Sequence, residues 1–218
     1  MYIVRQRYSP LSLEFIVLAF SRSLARFRKY IVILAASLIT LTGVSCQVAW
    51  SSNGLPRIDI RTLAALSARH PVIVLFRHAE RCDRSDGPCL ADKTGITEYG
   101  AHEARKRGEM FGMQIKNYAL YASPAVRTIQ SATWFSAGKK LTVDNAMRDC
   151  GRGTKSAISR LVAKAPGENV VVFTHNHCLT WLAKNMRGVK YDPGYLDALV
   201  MHADQDKLYL DGQLVTHY

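Results

Sequence analysis

The stretch PVIVLFRHAERC, residues 71–82, decides how this chain is read. Residues 72–76, VIVLF, are apolar without a break. That is the pattern of a strand covered on both faces in a parallel sheet, not of a half-exposed strand with alternating polarity. The run stops at Arg77-His78. A cation and an imidazole at the end of a buried strand either mark the point where the chain surfaces or stand at the mouth of a site.

Working outward, strands and helices alternate. Residues 97–112 read as a helix with Thr97 as N-cap and Gly112 as its stop. YALYA (118–122) reads as a strand, and residues 124–137 as a helix with Pro124 in its first turn. LTVD (141–144) is a short strand. Residues 154–165 form an amphipathic helix with Ile158, Leu161 and Val162 inward, stopped by Pro166-Gly167. NVVVFTH (169–175) is a second fully apolar strand, followed by a helix over 178–186. Residues 198–203 and 206–217 read as strands, with Asp211-Gly212 as a hairpin turn. Upstream, residues 50–70 run from a Ser/Asn/Gly/Pro linker into a short helix carrying Leu63 and Leu66. The alternation predicts a three-layer α/β/α domain with a mostly parallel central sheet. Sites in such sheets lie beyond the carboxyl ends of the strands.

The 218 residues, 48% hydrophobic and 21% charged, suffice for one domain with a sizeable core. Residues 22–30 are basic and residues 31–44 apolar, the n-region and h-region of a secretory signal. Residues 1–49 are therefore expected to be a signal peptide, cleaved after Ser45, or an uncleaved N-terminal anchor, with 50–218 as the exported domain. The long n-region suggests that translation starts near Val17. The net charge is +12, and setting aside residues 1–49 leaves 23 basic and 16 acidic residues, a balance of +7. Such a surplus suits an anionic substrate or surface. The body has no RNA-binding aromatic motif and no long basic block, so no nucleic-acid partner is expected. Membrane contact is expected only through the leader or the substrate.

Besides Cys46 there are four cysteines, Cys82, Cys89, Cys150 and Cys178. An even count in an oxidising compartment suggests disulfides, with three possible connectivities. Cys82 and Cys89 flank the turn-rich DRSDGP, which favours Cys82–Cys89 and Cys150–Cys178. Buried free thiols are the alternative, above all for Cys178 on an apolar helix. Without a CxxC pair, a structural zinc site is not expected.

Three strand ends carry chemistry. VIVLF runs into Arg77-His78-Ala79-Glu80, YALYA into Ser123-Pro124 with Arg127 one turn on, and VVVF into Thr174-His175-Asn176-His177. If these strands are neighbours, two imidazoles and two guanidiniums converge on one cleft. Arginine forks bind phosphate bidentately, and the helix start after Ser123 adds its own preference for anions.

RHAE at 77–80, SPAVRTIQSA at 123–132 and FTH at 173–175 resemble the histidine phosphatase superfamily in order and spacing, over about residues 70–186. RHAERCDRS, TGIT, TIQSATWFSAGKKLTVD, FTHNHCLT and LDALVMH are similar to the Ais family of exported enterobacterial proteins, a likeness that extends over nearly the whole chain. The resemblance implies a phosphoglycerate mutase-like fold, a periplasmic location and no cofactor. It also implies a phosphomonoesterase acting on heptose(II) phosphate of the lipopolysaccharide core. His78 would be the nucleophile, with Arg77, Arg127 and His175 holding the phosphoryl oxygens, so that fixed cations stand where other enzymes use magnesium. The superfamily often takes its proton donor from a Leu-Arg-Glu stretch after the third strand. Met147-Arg148-Asp149 falls there, making Asp149 a candidate, with Glu80 and Asp83 as rivals. Glu80, Arg81, Arg84 and Asn176 are candidate substrate contacts, the two arginines extending the cationic rim toward a multiply phosphorylated substrate. His177 reads as structural.

Ala79 and Asn176 replace the glycines usual after the two histidines, which weakens any transfer of substrate choice from the mutase branches. Three rival readings stand beside this one. The His175-x-His177 pair with Glu80 and Cys82 would serve a metal hydrolase, but the Asp-His that completes such motifs does not follow. The domain would otherwise be an inactive phosphate- or lipopolysaccharide-binding envelope protein, or a phosphatase of another phosphosugar or of a phosphoprotein.

Overall fold

The computed structural model describes residues 54–205 and 207–215; the leader, its cleavage site and the alternative start lie outside them. Three apolar runs form the centre. β2 (Val72–Arg77), β3 (Tyr118–Ala122) and β5 (Asn169–Thr174) are buried along most of their length and pair in parallel, with β5 between the other two. β4 (Leu141–Val143) extends the sheet in parallel beyond β3. On the other side of β2, β6 (Ala198–Asp204) and β7 (Lys207–Leu214) run antiparallel, and β1 (Arg57–Ile58) closes the edge parallel to β7. The seven strands lie in the order β1-β7-β6-β2-β5-β3-β4, a mixed sheet in which four of six pairings are parallel.

The continuous apolar runs are explained by helices on both faces. Val72, Val74 and Phe76 of β2 face α1 (Ile60–Ser67), α2 (Glu98–Gln114) and α3 (Val126–Phe135), through Leu63, Phe111 and Phe135 among others. Ile73 and Leu75 face the opposite way, toward Ile158 and Leu161 of α4 (Thr154–Ala163) and Leu179 and Leu182 of α5 (Asn176–Arg187). Period-two alternation thus feeds two separate cores. Under the strand ends, Phe76 and Phe173 are in register across β2 and β5 and stack at 5.2 Å, and Phe135 packs on both. Each buried phenylalanine contributes about 1.5–3 kcal/mol. The residues that follow Phe76 and Phe173 are Arg77 and Thr174, so this cluster fixes the height at which the site begins. Among the described residues no helix is long and apolar enough to cross a membrane.

Four local readings need correction. α2 runs past Gly112 to Gln114, because Gly112 keeps an ordinary helical backbone. The glycine that does end a helix by turning left-handed is Gly188, after α5, at φ 69°. Pro124 lies ahead of α3, whose N-cap is Ala125, and α5 begins at Asn176 with His175 as N-cap, two residues earlier than read. Asp211-Gly212 is not the hairpin turn. The chain reverses between Asp204 and Lys207, where Gln205 takes φ 51°. Asp211 is instead the extra residue of a bulge opposite Val200 and Met201, and a side chain at Gly212 would lie 2.3 Å from the Pro56 carbonyl. Glycine there lets β1 approach β7.

Two disulfides tie loops at the carboxyl end of the sheet. Cys82–Cys89 closes the loop after β2, and Cys150–Cys178 joins the loop after β4 to α5. Thr97 caps α2, its Oγ1 accepting from the Gly100 amide at 2.9 Å.

Candidate active site

Arg77 stands opposite Thr174, and Ala122 opposite Phe173, so β2, β5 and β3 end level with one another. The helix after β5 packs on the opposite face from those after β2 and β3. In open α/β sheets such a switch of face is where a ligand crevice lies, beyond the strand ends. His78, His175 and Ser123 stand at these three ends, all buried.

His78 is 3% exposed. Its Nδ1 lies 2.8 Å from the Ala79 carbonyl, which can only accept, so Nδ1 carries the proton and Nε2 keeps a free lone pair. Burial pushes its pKa down to about 3; the Ala79 bond opposes this, and Arg127, His175 and Arg77 add to it. At neutral pH the imidazole is therefore uncharged. The Ala79 peptide is itself anchored, its N–H donating to Ser131 Oγ at 2.8 Å.

Arg77 Nη1 donates to the Pro193 carbonyl at 2.6 Å, and its Cζ lies 4.1 Å from the centre of the Tyr195 ring. Arg127 Nη2 lies 3.4 Å from His175 Nδ1. A guanidinium only donates, so Nδ1 accepts and Nε2 carries the His175 proton, donated to Ser123 Oγ at 3.0 Å. Ser123 Oγ in turn lies 3.0 Å from Thr128 Oγ1, whose own hydroxyl is directed at the Ser123 and Ala125 carbonyls. Ser123 therefore donates to Thr128, and the relay fixes the His175 tautomer. Burial holds His175 down to about 4, with Arg127, His177 and Arg81 acting in the same direction. Burial also lowers both arginines from the usual guanidinium range, which leaves them charged at neutral pH. The Nε atoms of Arg77 and Arg127 are buried with no hydrogen-bond partner among the described residues. A buried donor without an acceptor is costly, and two such guanidiniums could take the oxygens of an anion.

The remaining candidates spread around this cradle. Arg81 is half-buried and paired with Asp83, its Nε at 2.8 Å, and its charge acts on Arg77, Arg127 and His175. Arg84 is exposed, and its charge reaches Arg127. Glu80 turns away to accept from Thr97 Oγ1 at 2.7 Å. Asp149 is exposed, on a loop held at this end of the sheet by the Thr174 Oγ1 bond to the Met147 carbonyl at 3.0 Å and by the Cys150–Cys178 bond. Asn176 and His177 are exposed in the first turn of α5, and the His177 ring stacks on His175 at 5.3 Å. Both nitrogens of His175 are engaged, which leaves the His-x-His pair without a free ligand atom on that residue. His177 also lies with Cys150 and Cys178 within 4.8 Å, but those sulfurs are joined to each other.

Ser131, Pro193 and Tyr195 were missed. Ser131 sits one turn beyond Arg127, inside the stretch SPAVRTIQSA, where a helical wheel puts it on the same face. Pro193 and Tyr195 come from the loop before β6, where the only local signal is the turn chemistry of Asp192-Pro193-Gly194.

Among solved structures, phosphoserine phosphatase of Entamoeba histolytica in complex with 3-phosphoglyceric acid superposes with a TM-score of 0.53 at 12% identity, covering 67% of this chain and 98% of that one. The protein histidine phosphatase SixA complexed with tungstate gives 0.50 at 14%, covering 65% and 95%. The fold is that of the phosphoglycerate mutase-like histidine phosphatases. No family model matches the chain. The lipopolysaccharide core heptose(II)-phosphate phosphatase of Salmonella schwarzengrund is 58% identical over 199 residues, 91% of this chain and 99% of its own length. The chain belongs to the family of these lipopolysaccharide core heptose(II)-phosphate phosphatases and is a phosphatase.

Proposed function

We propose that the protein is an exported phosphomonoesterase that removes the phosphate from heptose(II) of the lipopolysaccharide core, through a phosphohistidine on His78. The observation that carries the chemistry is the neutral His78, its Nδ1 committed to Ala79 and its free Nε2 beside two arginines with unpartnered buried Nε–H groups. The phosphoryl group settles between Arg77 and Arg127, and Nε2 attacks phosphorus in line with the ester oxygen. The fixed cations take up the equatorial charge without needing to reorganise. His175 accepts from Arg127 in the free site. For its Nδ1 to donate to a phosphoryl oxygen instead, it takes up one proton as the dianion binds.

The substrate is supported by the names of relatives at 58% identity. A rim formed by Arg81 and Arg84 suits a substrate carrying more than one anionic group. Two disulfides support an oxidising compartment, and with the basic-apolar leader they support export to the periplasm.

The test is mass spectrometry of core lipopolysaccharide from cells lacking the protein and complemented with wild type or His78→Ala. Wild type should remove the phosphate of heptose(II), and His78→Ala should leave it in place. Core phosphate unchanged by wild type would overturn the heptose assignment.

A further inference from the structure

The leaving oxygen of a sugar phosphate needs a proton, and the carboxylates near the site are poorly placed to give one. Glu80 is bonded to Thr97, Asp83 to Arg81, and Asp149 is exposed on its loop. The loop between α5 and β6 brings a different group. The Tyr195 ring lies over the Arg77 guanidinium at 4.1 Å, and its centre is 5.9 Å from that of His78. Its phenol is coupled electrostatically to both Arg77 and Arg81, one in the cradle and one on its rim. Among the described residues no group hydrogen-bonds that hydroxyl.

The loop is built to hold the ring there. The Pro193 carbonyl accepts from Arg77 Nη1 at 2.6 Å, and the Asp197 carbonyl from the Arg77 amide at 2.8 Å. The Gly194 amide donates to Asp197 Oδ2 at 2.6 Å. Leu196, at φ 60°, occupies the left-handed region without being glycine. Such a conformation persists only where neighbours over-determine it. Here Leu196 is buried, its carbonyl accepts from Arg107 Nη1 at 2.9 Å, and its amide lies 3.4 Å from the His78 carbonyl. The twist sends Leu196 into the core while Tyr195 stays beside His78 and Arg77.

We propose that Tyr195 is the proton donor to the leaving alkoxide and, in the second half of the reaction, the base that receives the proton of the attacking water; this rests on His78 being the nucleophile. In the first step the bond from His78 Nε2 to phosphorus forms as the ester bond breaks. The electron pair of the broken bond stays on the ester oxygen, which takes the phenol proton. The phenolate is left beside Arg77 and Arg81. In the second step water attacks phosphorus, the nitrogen–phosphorus pair returns to Nε2, and the phenolate takes the water proton. Phenol and neutral His78 are both restored. A phenol is a stronger acid than an alcohol, so the first transfer runs downhill.

Tyr195→Phe keeps the aromatic ring and removes only the hydroxyl. Single-turnover phosphorylation of His78 is followed with a series of substituted phenyl phosphates, from 4-nitrophenyl to 4-methoxyphenyl. Wild type should show a shallow dependence of rate on leaving-group acidity. Tyr195→Phe should show a steeper one, with a loss at least about tenfold larger for the poorest leaving group than for the best. Equal slopes for the two proteins, or a steeper slope in Asp149→Asn and not in Tyr195→Phe, would overturn the assignment while leaving the phosphatase reading intact. Failure of wild type to phosphorylate His78 with any of these esters would overturn both.

Discussion

Replacing Ser131 with alanine removes a single oxygen from beneath the His78-Ala79 turn. That oxygen is fully buried; it accepts the Ala79 N–H at 2.8 Å and donates to the Arg127 carbonyl at 2.6 Å. The carbonyl keeps its place in the helical ladder, so the damage falls on the Ala79 N–H, left buried and unpaired. An orphaned buried donor costs about 1–3 kcal/mol. In a domain of this size about 1 kcal/mol shifts Tm by about 2–4 °C, so a fall of about 2–12 °C is expected, with a matching drop in the urea midpoint. Ala79 also supplies the carbonyl that holds His78 Nδ1. Loosening that residue should slow phosphorylation of His78 by about ten- to a hundredfold, with KM little changed, because orientation is lost rather than binding. Equilibrium unfolding in urea and rapid-quench kinetics on the same preparation give both numbers. A stability change under about 0.5 kcal/mol together with a wild-type rate would refute the idea that Ser131 holds the loop that carries His78.

Three further outcomes are expected. Arg127→Ala should weaken inorganic phosphate binding and slow turnover by about a hundredfold or more, with Arg127→Lys recovering only part; a change confined to thermal stability would make Arg127 structural. His78 and His175 are held to about 3 and about 4, below the 6.5 of an ordinary imidazole. Below pH 6.5 the unfolded chain therefore binds protons that the folded one refuses, so their stabilisation is fully present above that pH and is lost as pH falls toward 4 and 3. The urea midpoint should drop between pH 7 and pH 4, and less steeply in His175→Gln; a flat profile would contradict the burial of neutral imidazoles. The disulfides close sequence separations of 7 and 28 residues. Loop entropy makes removal of Cys150–Cys178 by double alanine substitution about 1 kcal/mol costlier than removal of Cys82–Cys89, and unfolding in urea would reveal an inverted order.

The layers of the fold were legible because burial on both faces leaves a plain mark: VIVLF and VVVF contain no polar residue, and Arg77 follows the first at once and His175 the second after Thr174. The side-chain cap at Thr97 was legible; that of Asp59 on α1, its Oδ1 accepting from the Thr62 amide, was not. What failed was chemistry whose local and tertiary uses look alike. Asp211-Gly212 has the composition of a hairpin turn, yet the glycine serves the close approach of β1, a contact some 150 residues distant in sequence. Two-residue β1 is too short for any periodicity. Within the site, the strand-end residues could be assembled from adjacency alone. Tyr195 could not, because it enters through a loop and owes its position to hydrogen bonds of Arg77 and to the left-handed Leu196. Glu80 follows His78 closely in sequence, but its carboxylate is bound to the α2 cap.

The most direct test of the central claim is to quench the enzyme during turnover of a phosphate ester and map the protein-bound phosphate. The expected product is an acid-labile, alkali-stable phosphoryl group on the peptide containing His78, absent from His78→Ala and accumulating faster than steady-state turnover. Full turnover with no phosphorylated histidine, or phosphate trapped on His175 instead, would contradict it.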